Sequence, residues 1–253
     1  MSARFQGQSV LVTGAGSGLG RAIALAFAAE GASVVVAGRT AAPLDETVAL
    51  IEAQGGTAAA FTADVSRSGE VAGLVRRTVE RFGRLDVAVN NAGVFRGGAP
   101  LADLPEQDWH TLIDINVTGV LLALQAEIAH MRAHGGGAIV NIASNLGAHT
   151  RRPGTAGYAV SKAAVAALTR AAALDHIQDG VRINAVSPGA SDTSMSLRPG
   201  ETEAERAVRM KGESPLGRVA STREVAAAVL HLASDDAAST VGADLVIDGG
   251  VSA

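Results

Sequence analysis

The chain is 253 residues long, 47% hydrophobic and only 3% aromatic, with 30 scattered glycines and no cysteine. Its 21 Lys and Arg against 25 Asp and Glu give a net charge of −4, which excludes the basic footprint of a nucleic-acid binder. The missing cysteines exclude a disulfide framework and thiol chemistry, and the unperiodic glycines exclude a fibrous or low-complexity chain.

The first apolar run, Val10 to Val12, is too short for the core of an export signal. No uncharged apolar run approaches the ~20 residues that cross a bilayer, so a soluble cytoplasmic protein with no membrane partner is expected. The strand SVLVT (9–13) runs into TGAGSGLGR (13–21), which opens a helix over 19–32 with Ile23, Ala26 and Phe27 on one face and Gly31 as its stop. Glycines at 14, 16, 18 and 20 let the backbone pass close to a bulky anion and aim free N–H groups at it, and the helix N-terminus adds partial positive charge. The turn is not a strict G-x-G-x-x-G: counted from Gly14 the third position is Leu19, and from Gly16 it is Arg21. By itself it reads equally as a tight strand–helix connection. Its place in the first strand–helix–strand unit points to a dinucleotide.

The second strand, SVVVA (33–37), ends where an NAD enzyme usually carries an acidic side chain for the adenosine ribose. Here Gly38 and Arg39 stand in that place. A carboxylate repels a 2′-phosphate, whereas a guanidinium binds one in bidentate fashion, so NADP(H) is favoured over NAD(H). The plainer alternative is a solvated Arg39, in which case both cofactors serve equally.

A helix from Pro43 to Gly55, a strand TAAAFTA (57–63) and a helix over 68–83 with Val71, Leu74, Val75 and Val79 on one side come next. They are followed by the strand LDVAVN (85–90), a long helix from Trp109 to His134, and the strand GAIVNIA (137–143). A helix from Tyr158 to Asp175 and the strands VRINAVS (181–187) and ADLVID (243–248) complete the pattern. The strands lack polar alternation, as strands buried on both faces do. Alternating strands and helices with right-handed crossovers imply an α/β fold: one Rossmann-type domain over 1–253, with a doubly wound parallel sheet of about seven strands in the order 3-2-1-4-5-6-7. The polar stretch 190–217 lacks strand signal and is read as a loop-like lid, because it follows the C-terminal end of a strand, where such sheets bind ligands.

Tyr158 is the only tyrosine, and Lys162 lies four residues on, so both project from one helix face. An unperturbed phenol has a pKa near ~10, and a nearby ammonium is expected to lower it. A tyrosine tuned in this way gives or takes a proton at a carbinol or carbonyl oxygen. Ser144, at the end of the fifth strand, offers a hydroxyl for the same oxygen. Taken alone, the pair reads equally as a half-buried tyrosine beside a snorkelling lysine; its position after the serine, in a chain with a glycine cradle, favours chemistry.

On these motifs the sequence resembles the short-chain dehydrogenase/reductase family over essentially its whole length. The family's T-G-x-x-x-G-x-G is matched by Thr13, Gly14, Gly18 and Gly20, its N-N-A-G by Asn90 to Gly93, and its Y-x-x-x-K by Tyr158 and Lys162 with Ser144 upstream. Asp64 and Val65 look like the adenine-contacting pair, Pro188-Gly189 with Thr193 like the segment flanking the nicotinamide, and TVGADLVIDGG like the C-terminal strand. The closest similarity is to the group holding 3-oxoacyl-carrier-protein reductases and bacterial alcohol or sugar dehydrogenases.

The resemblance implies an NAD(P)-dependent oxidoreductase (EC 1.1.1.-) of a small carbonyl or secondary-alcohol substrate. Tyr158 would be the general acid/base, Lys162 its tuning cation and ribose ligand, Ser144 the holder of the substrate oxygen, and Asn116 a member of a proton relay. Gly14, Gly16, Ser17, Gly18, Leu19, Arg39, Asp64, Val65, Asn90, Ala92, Tyr158, Lys162, Pro188, Ser191 and Thr193 would line the cofactor; no metal is implied. Ser191 departs from the Ile or Val that the family often has two residues before the threonine, which bears on the carboxamide contact. A homotetramer is implied, with a dimer as the smaller alternative. An epimerase or lyase step using bound cofactor, and a non-catalytic dinucleotide sensor, are the competing functions; the sensor has no need of Ser144, Tyr158 and Lys162 together.

Overall fold

The valine-rich runs fold as β1 (Ser9–Thr13), β2 (Ser33–Gly38), β3 (Thr57–Thr62), β4 (Val87–Asn90), β5 (Gly137–Ile142), β6 (Val181–Pro188) and β7 (Asp244–Ile247). In the computed structural model, which describes residues 3–253, they form one seven-stranded sheet in the order β3-β2-β1-β4-β5-β6-β7, with every neighbouring pair parallel. The order reverses between β1 and β4, and the C-terminal ends of the strands there open into a crevice.

Both faces of the sheet are covered. Val10, Val12, Val34, Val36, Val87 and Val89 point to a layer that includes Ile23 and Phe27 of α1 (Gly18–Ala29), Leu44 and Ile51 of α2 (Ala41–Glu52), and Val229 of α9 (Thr222–Ala233). The alternate residues Leu11, Val35, Ala88, Ile139 and Ile183 point to Leu74 of α3 (Ser68–Phe82), Leu124 and Met131 of α5 (Gly119–Ala133), and Val165 of α7 (Ala156–His176). Successive side chains of one strand thus serve opposite cores, which is why the runs carry no polar alternation.

The expected helix from Trp109 to His134 is three segments in continuous helical backbone: α4 (Glu106–Ile113), a π-helical turn Asp114–Thr118, and α5. By length and composition the run Glu106–Ala133 could cross a membrane. In the fold, Val120, Leu124, Ile128 and Met131 of α5 are buried in the layer that covers the sheet.

The stretch 190–217 is not the open loop its polarity suggests. It contains α8 (Glu203–Glu213), started by a reciprocal capping box in which the Thr202 side chain accepts from the Glu205 N–H and the Glu205 carboxylate accepts from the Thr202 N–H. The helix α9 is started by the same device at Ser221 and Glu224 and adds a further helix to the sequence pattern. The short turn α6 (Asn145–Ala148) links β5 to the loop that leads into α7.

Candidate active site

At the end of β1 the chain turns through Gly14 with φ +65° and Gly18 with φ +51°, left-handed backbone that a side chain resists. A Cβ on Gly20 would stand 2.3 Å from the Gly14 carbonyl oxygen, so α1 seats against the turn only because position 20 is bare. Ser17 caps α1 in extended backbone and makes no side-chain cap bond, which leaves the first N–H groups of the helix facing the crevice without an internal acceptor from it. Leu19 points back to the core. The residues present fit a bound pyrophosphate: a cradle kept open by glycine, with donors and no acid in the first turn.

Thr13 ties this cradle to the end of β4. Its hydroxyl donates to the Val89 carbonyl and accepts from the N–H groups of Asn91 and Ala92, at 3.0 and 3.1 Å. The Asn91 amide donates in turn to the carbonyls of Thr13 and Gly14. Asn90 faces the other way: its side chain is buried and donates to Glu127 at 2.9 Å and Asn141 at 3.0 Å.

At the adenine end, Arg39 is exposed and makes no hydrogen bond or ion pair among the described residues. A Cβ on Gly38 would meet only Leu44, at an ordinary 3.4 Å, so an acidic residue would fit there and the chain does without one. The Asp64 carboxylate accepts from the Ser66 N–H and hydroxyl, which with the nearby Arg39 and Arg67 holds its pKa below the usual range despite partial burial. Val65 packs where a Cβ on Gly119 would stand, at 2.9 Å.

Ser144, Tyr158, Lys162 and Asn116 are all buried and converge at the end of β5. Ser144 terminates the strand in extended backbone; its Oγ lies 3.5 Å from the Pro188 carbonyl and accepts from the Leu146 N–H. Helix α7 brings Tyr158 beside it, and the ring of Phe95 meets the phenol edge-on at 5.0 Å. The Lys162 ammonium donates to the Ile142 carbonyl at 2.7 Å and lies 6.0 Å from the centre of the Tyr158 ring. A Cβ on Gly93 would come within 3.5 Å of that ammonium, so glycine there leaves space above it.

The ammonium does not offset the burial of the phenol. Burial pushes the Tyr158 pKa up, opposed only by the nearby Ser144 hydroxyl. Burial also pushes Lys162 down to about 8. The i, i+4 spacing puts both groups on one face, yet the ammonium turns to a backbone carbonyl rather than to the phenol.

Asn116 lies in the π turn, where the extra residue rotates its side chain inward. Its Oδ1 accepts from the Val94 N–H at 2.8 Å, while its Nδ2 donates to the Val94 carbonyl at 2.9 Å and to Ser161 at 3.0 Å. The side chain therefore clamps the segment after β4 to α7.

The segment after β6 closes the crevice. Pro188 is the last residue of the strand, Ser191 is buried with its hydroxyl on the Gly189 carbonyl, and the Thr193 methyl would stand 3.3 Å from a Cβ on Gly18. Two arginines of α8 hold this segment: Arg206 donates to the Thr193 carbonyl, the Ser196 hydroxyl and Asp192, and Arg209 to the Ser196 carbonyl. The sequence carries no signal for these contacts, because arginines on a polar helix read as solvated.

A sheet that reverses order beside a glycine cradle, with a serine, a tyrosine and a lysine buried at the same edge, has the architecture of an α/β oxidoreductase. Residues 14–252 match the family described as Enoyl-(Acyl carrier protein) reductase. The chain is 41% identical to cis-4-hydroxycyclohexanecarboxylate dehydrogenase of Sinomonas cyclohexanicum, a match covering all of both chains. Among solved structures, a short-chain type dehydrogenase/reductase from Mycobacterium marinum superimposes with a TM-score of 0.92 at 35% identity, covering 98% of this chain and 97% of the other. A short-chain dehydrogenase from Burkholderia cenocepacia, solved in complex with NADP, gives 0.89 at 36% identity, covering 99% and 100%. The chain belongs to the short-chain dehydrogenase/reductase family and is an oxidoreductase of that type.

Proposed function

We propose that the protein transfers a hydride between NADP(H) and a small carbonyl or secondary-alcohol substrate. The observation that carries this reading is the burial of Ser144, Tyr158 and Lys162 together at the edge of the crevice, beside the glycine cradle. When bound, the nicotinamide supplies or accepts the hydride; the protein supplies placement and the proton. The Ser144 hydroxyl donates to the substrate oxygen. Tyr158 gives that oxygen a proton in reduction and takes one in oxidation. The Lys162 charge stabilises the phenolate left behind, which burial otherwise disfavours. Asn116 takes part by fixing Val94 and Ser161.

The cradle at Gly14, Gly16, Ser17, Gly18 and Leu19 would hold the pyrophosphate, and Ala92, the main chain of Asn90, the Tyr158–Lys162 pair, Pro188, Ser191 and Thr193 would line the rest of the cofactor. Asp64 and Val65 would meet the adenine, and Arg39 would take the 2′-phosphate. The absence of an acid at Gly38, and an Arg39 without an internal partner among the described residues, support NADP(H) over NAD(H). The relative named for a hydroxycyclohexane carboxylate supports a ring secondary alcohol as the first substrate class to try. The segment 190–217 acts as a lid within a single catalytic domain. Leu121, Val160 and Leu174, exposed on α5 and α7, support association into a tetramer through these helices. The cytoplasm is the compartment this reading fits.

The test is a panel of ring and open-chain ketones, alcohols, sugars and acyl thioesters with NADPH, NADP, NADH and NAD, following the absorbance of reduced nicotinamide. A substrate-dependent change, faster with the phosphorylated cofactor, is the expected result. Substrate consumption without net change in nicotinamide would show an epimerase or lyase instead.

A further inference from the structure

Beneath the site lies a buried polar cluster that the proposed chemistry does not use. Glu127 of α5 is 1% exposed, and its carboxyl accepts from the Asn90 amide at 2.9 Å. The same amide nitrogen donates to Asn141 Oδ1 at 3.0 Å, and the Asn141 amide donates to Thr169 of α7 at 2.9 Å. Two features single this cluster out. Among the described residues no cation faces Glu127: the Asn90 amide from β4 is its one hydrogen-bond partner, and no ionised side chain from β4, β5, α3 or α7 contributes to its protonation. Lys162, the buried cation of α7, is turned to the Ile142 carbonyl. The second feature is an orphan. Asn90 Oδ1 is buried without a donor among the described residues, and turning the amide over would set that oxygen against the Asn141 Oδ1 acceptor.

One proton resolves both features. A buried carboxylate with no cation is costly, whereas a neutral carboxyl is not. An amide and a neutral carboxyl pair through two bonds, amide N–H to acid carbonyl and acid O–H to amide carbonyl. The first bond is present, and the second requires the proton. We infer that Glu127 is held as the neutral acid, and that its two-bond pair with Asn90 positions both halves of the site. Asn90 is followed directly by Asn91, which bonds the cradle at Gly14. Asn141 is followed by Ile142, whose carbonyl holds Lys162. Glu127 is thus a positioning residue, touching neither cofactor nor substrate. Burial pushes its pKa up to about 7. Neutral solution is therefore where the pair gives way to an ionised, one-bond contact. The inference concerns the floor of the site and depends on the proposed activity only for what that floor supports.

Infrared spectra of the wild-type protein are compared with Glu127→Gln, whose amide reproduces both bonds without titrating, and dissociation constants for NADPH and for NADH are measured from pH 6 to 9 by cofactor fluorescence. The expected spectrum shows the carbonyl band of a neutral carboxyl at the acid end, fading as pH rises through about 7 and missing from Glu127→Gln. Over the same interval the wild type should lose roughly three- to tenfold in cofactor affinity relative to Glu127→Gln, the worth of one hydrogen bond. Glu127→Leu should bind weakly throughout, whatever the pH. Absence of the neutral band, or superimposable affinity profiles of wild type and Glu127→Gln, overturns the inference. Both readouts stand even if no hydride transfer is found.

Discussion

The floor of the site and the 190–217 excursion are held by different forces. Under Ser144, Tyr158 and Lys162 the contacts are buried hydrogen bonds from Asn90, Asn116, Asn141 and Lys162 to amides, hydroxyls and main-chain carbonyls. Across the crevice, the excursion is held by charge: Arg206 on Asp192, Arg209 on Glu201 and Glu213, and Arg198 on Glu213. Fully buried bonds are little affected by salt and fix a single geometry, whereas ion pairs with an exposed partner, such as Asp192 or Glu213, are screened and yield more readily. The difference makes the floor the fixed part of the site and the excursion its more yielding wall.

The largest effect should come from the floor. Lys162→Met removes the buried cation and should lower turnover by on the order of 10²-fold or more at every substrate concentration, in stopped-flow hydride transfer. A mild loss would show that the phenol does not depend on it. The adenine end also relies on charge. Arg39→Asp should reverse the preference between NADPH and NADH by about tenfold to a hundredfold in kcat/KM, from the loss of a charge-assisted bond. An unchanged ratio would leave Arg39 a plain surface residue.

Glu127 sharpens the comparison through stability. Its folded pKa of about 7 lies above the ordinary value of 4.5, so the native state binds the extra proton between these values. Stability should therefore fall as pH rises from about 4.5 to about 7 and level off beyond, by about 1–3 kcal/mol relative to Glu127→Gln, in urea titrations. The excursion should give the smallest effect. Arg206→Gln frees the Thr193 carbonyl and should raise the cofactor KM roughly three- to tenfold, with kcat within about twofold. A loss in kcat alone would show that the excursion places the reacting groups rather than the cofactor.

The strands were legible because runs such as SVVVA bury alternate side chains in two cores and cannot afford polar residues. The serine, tyrosine and lysine were legible as a spacing, and they do come together. What they do to one another was not. Spacing placed the ammonium of Lys162 near the phenol, but only packing shows it turned to Ile142 while burial raises Tyr158. Glu127 escaped notice because an acid in a long helix reads as surface; its inward direction depends on the neighbours α5 meets. Helix α8 was obscured by charge, although Thr202 and Glu205 carry the spacing of a capping box.

The central claim is that the phenol of residue 158 moves the proton at the substrate oxygen. Tyr158→Phe keeps the buried ring and deletes only the hydroxyl, so NADPH binding and single-turnover hydride transfer measured on the same sample separate placement from chemistry. The account predicts an unchanged dissociation constant for NADPH and a hydride-transfer rate lower by about 10²- to 10⁴-fold. Transfer at the wild-type rate with the hydroxyl gone would contradict it.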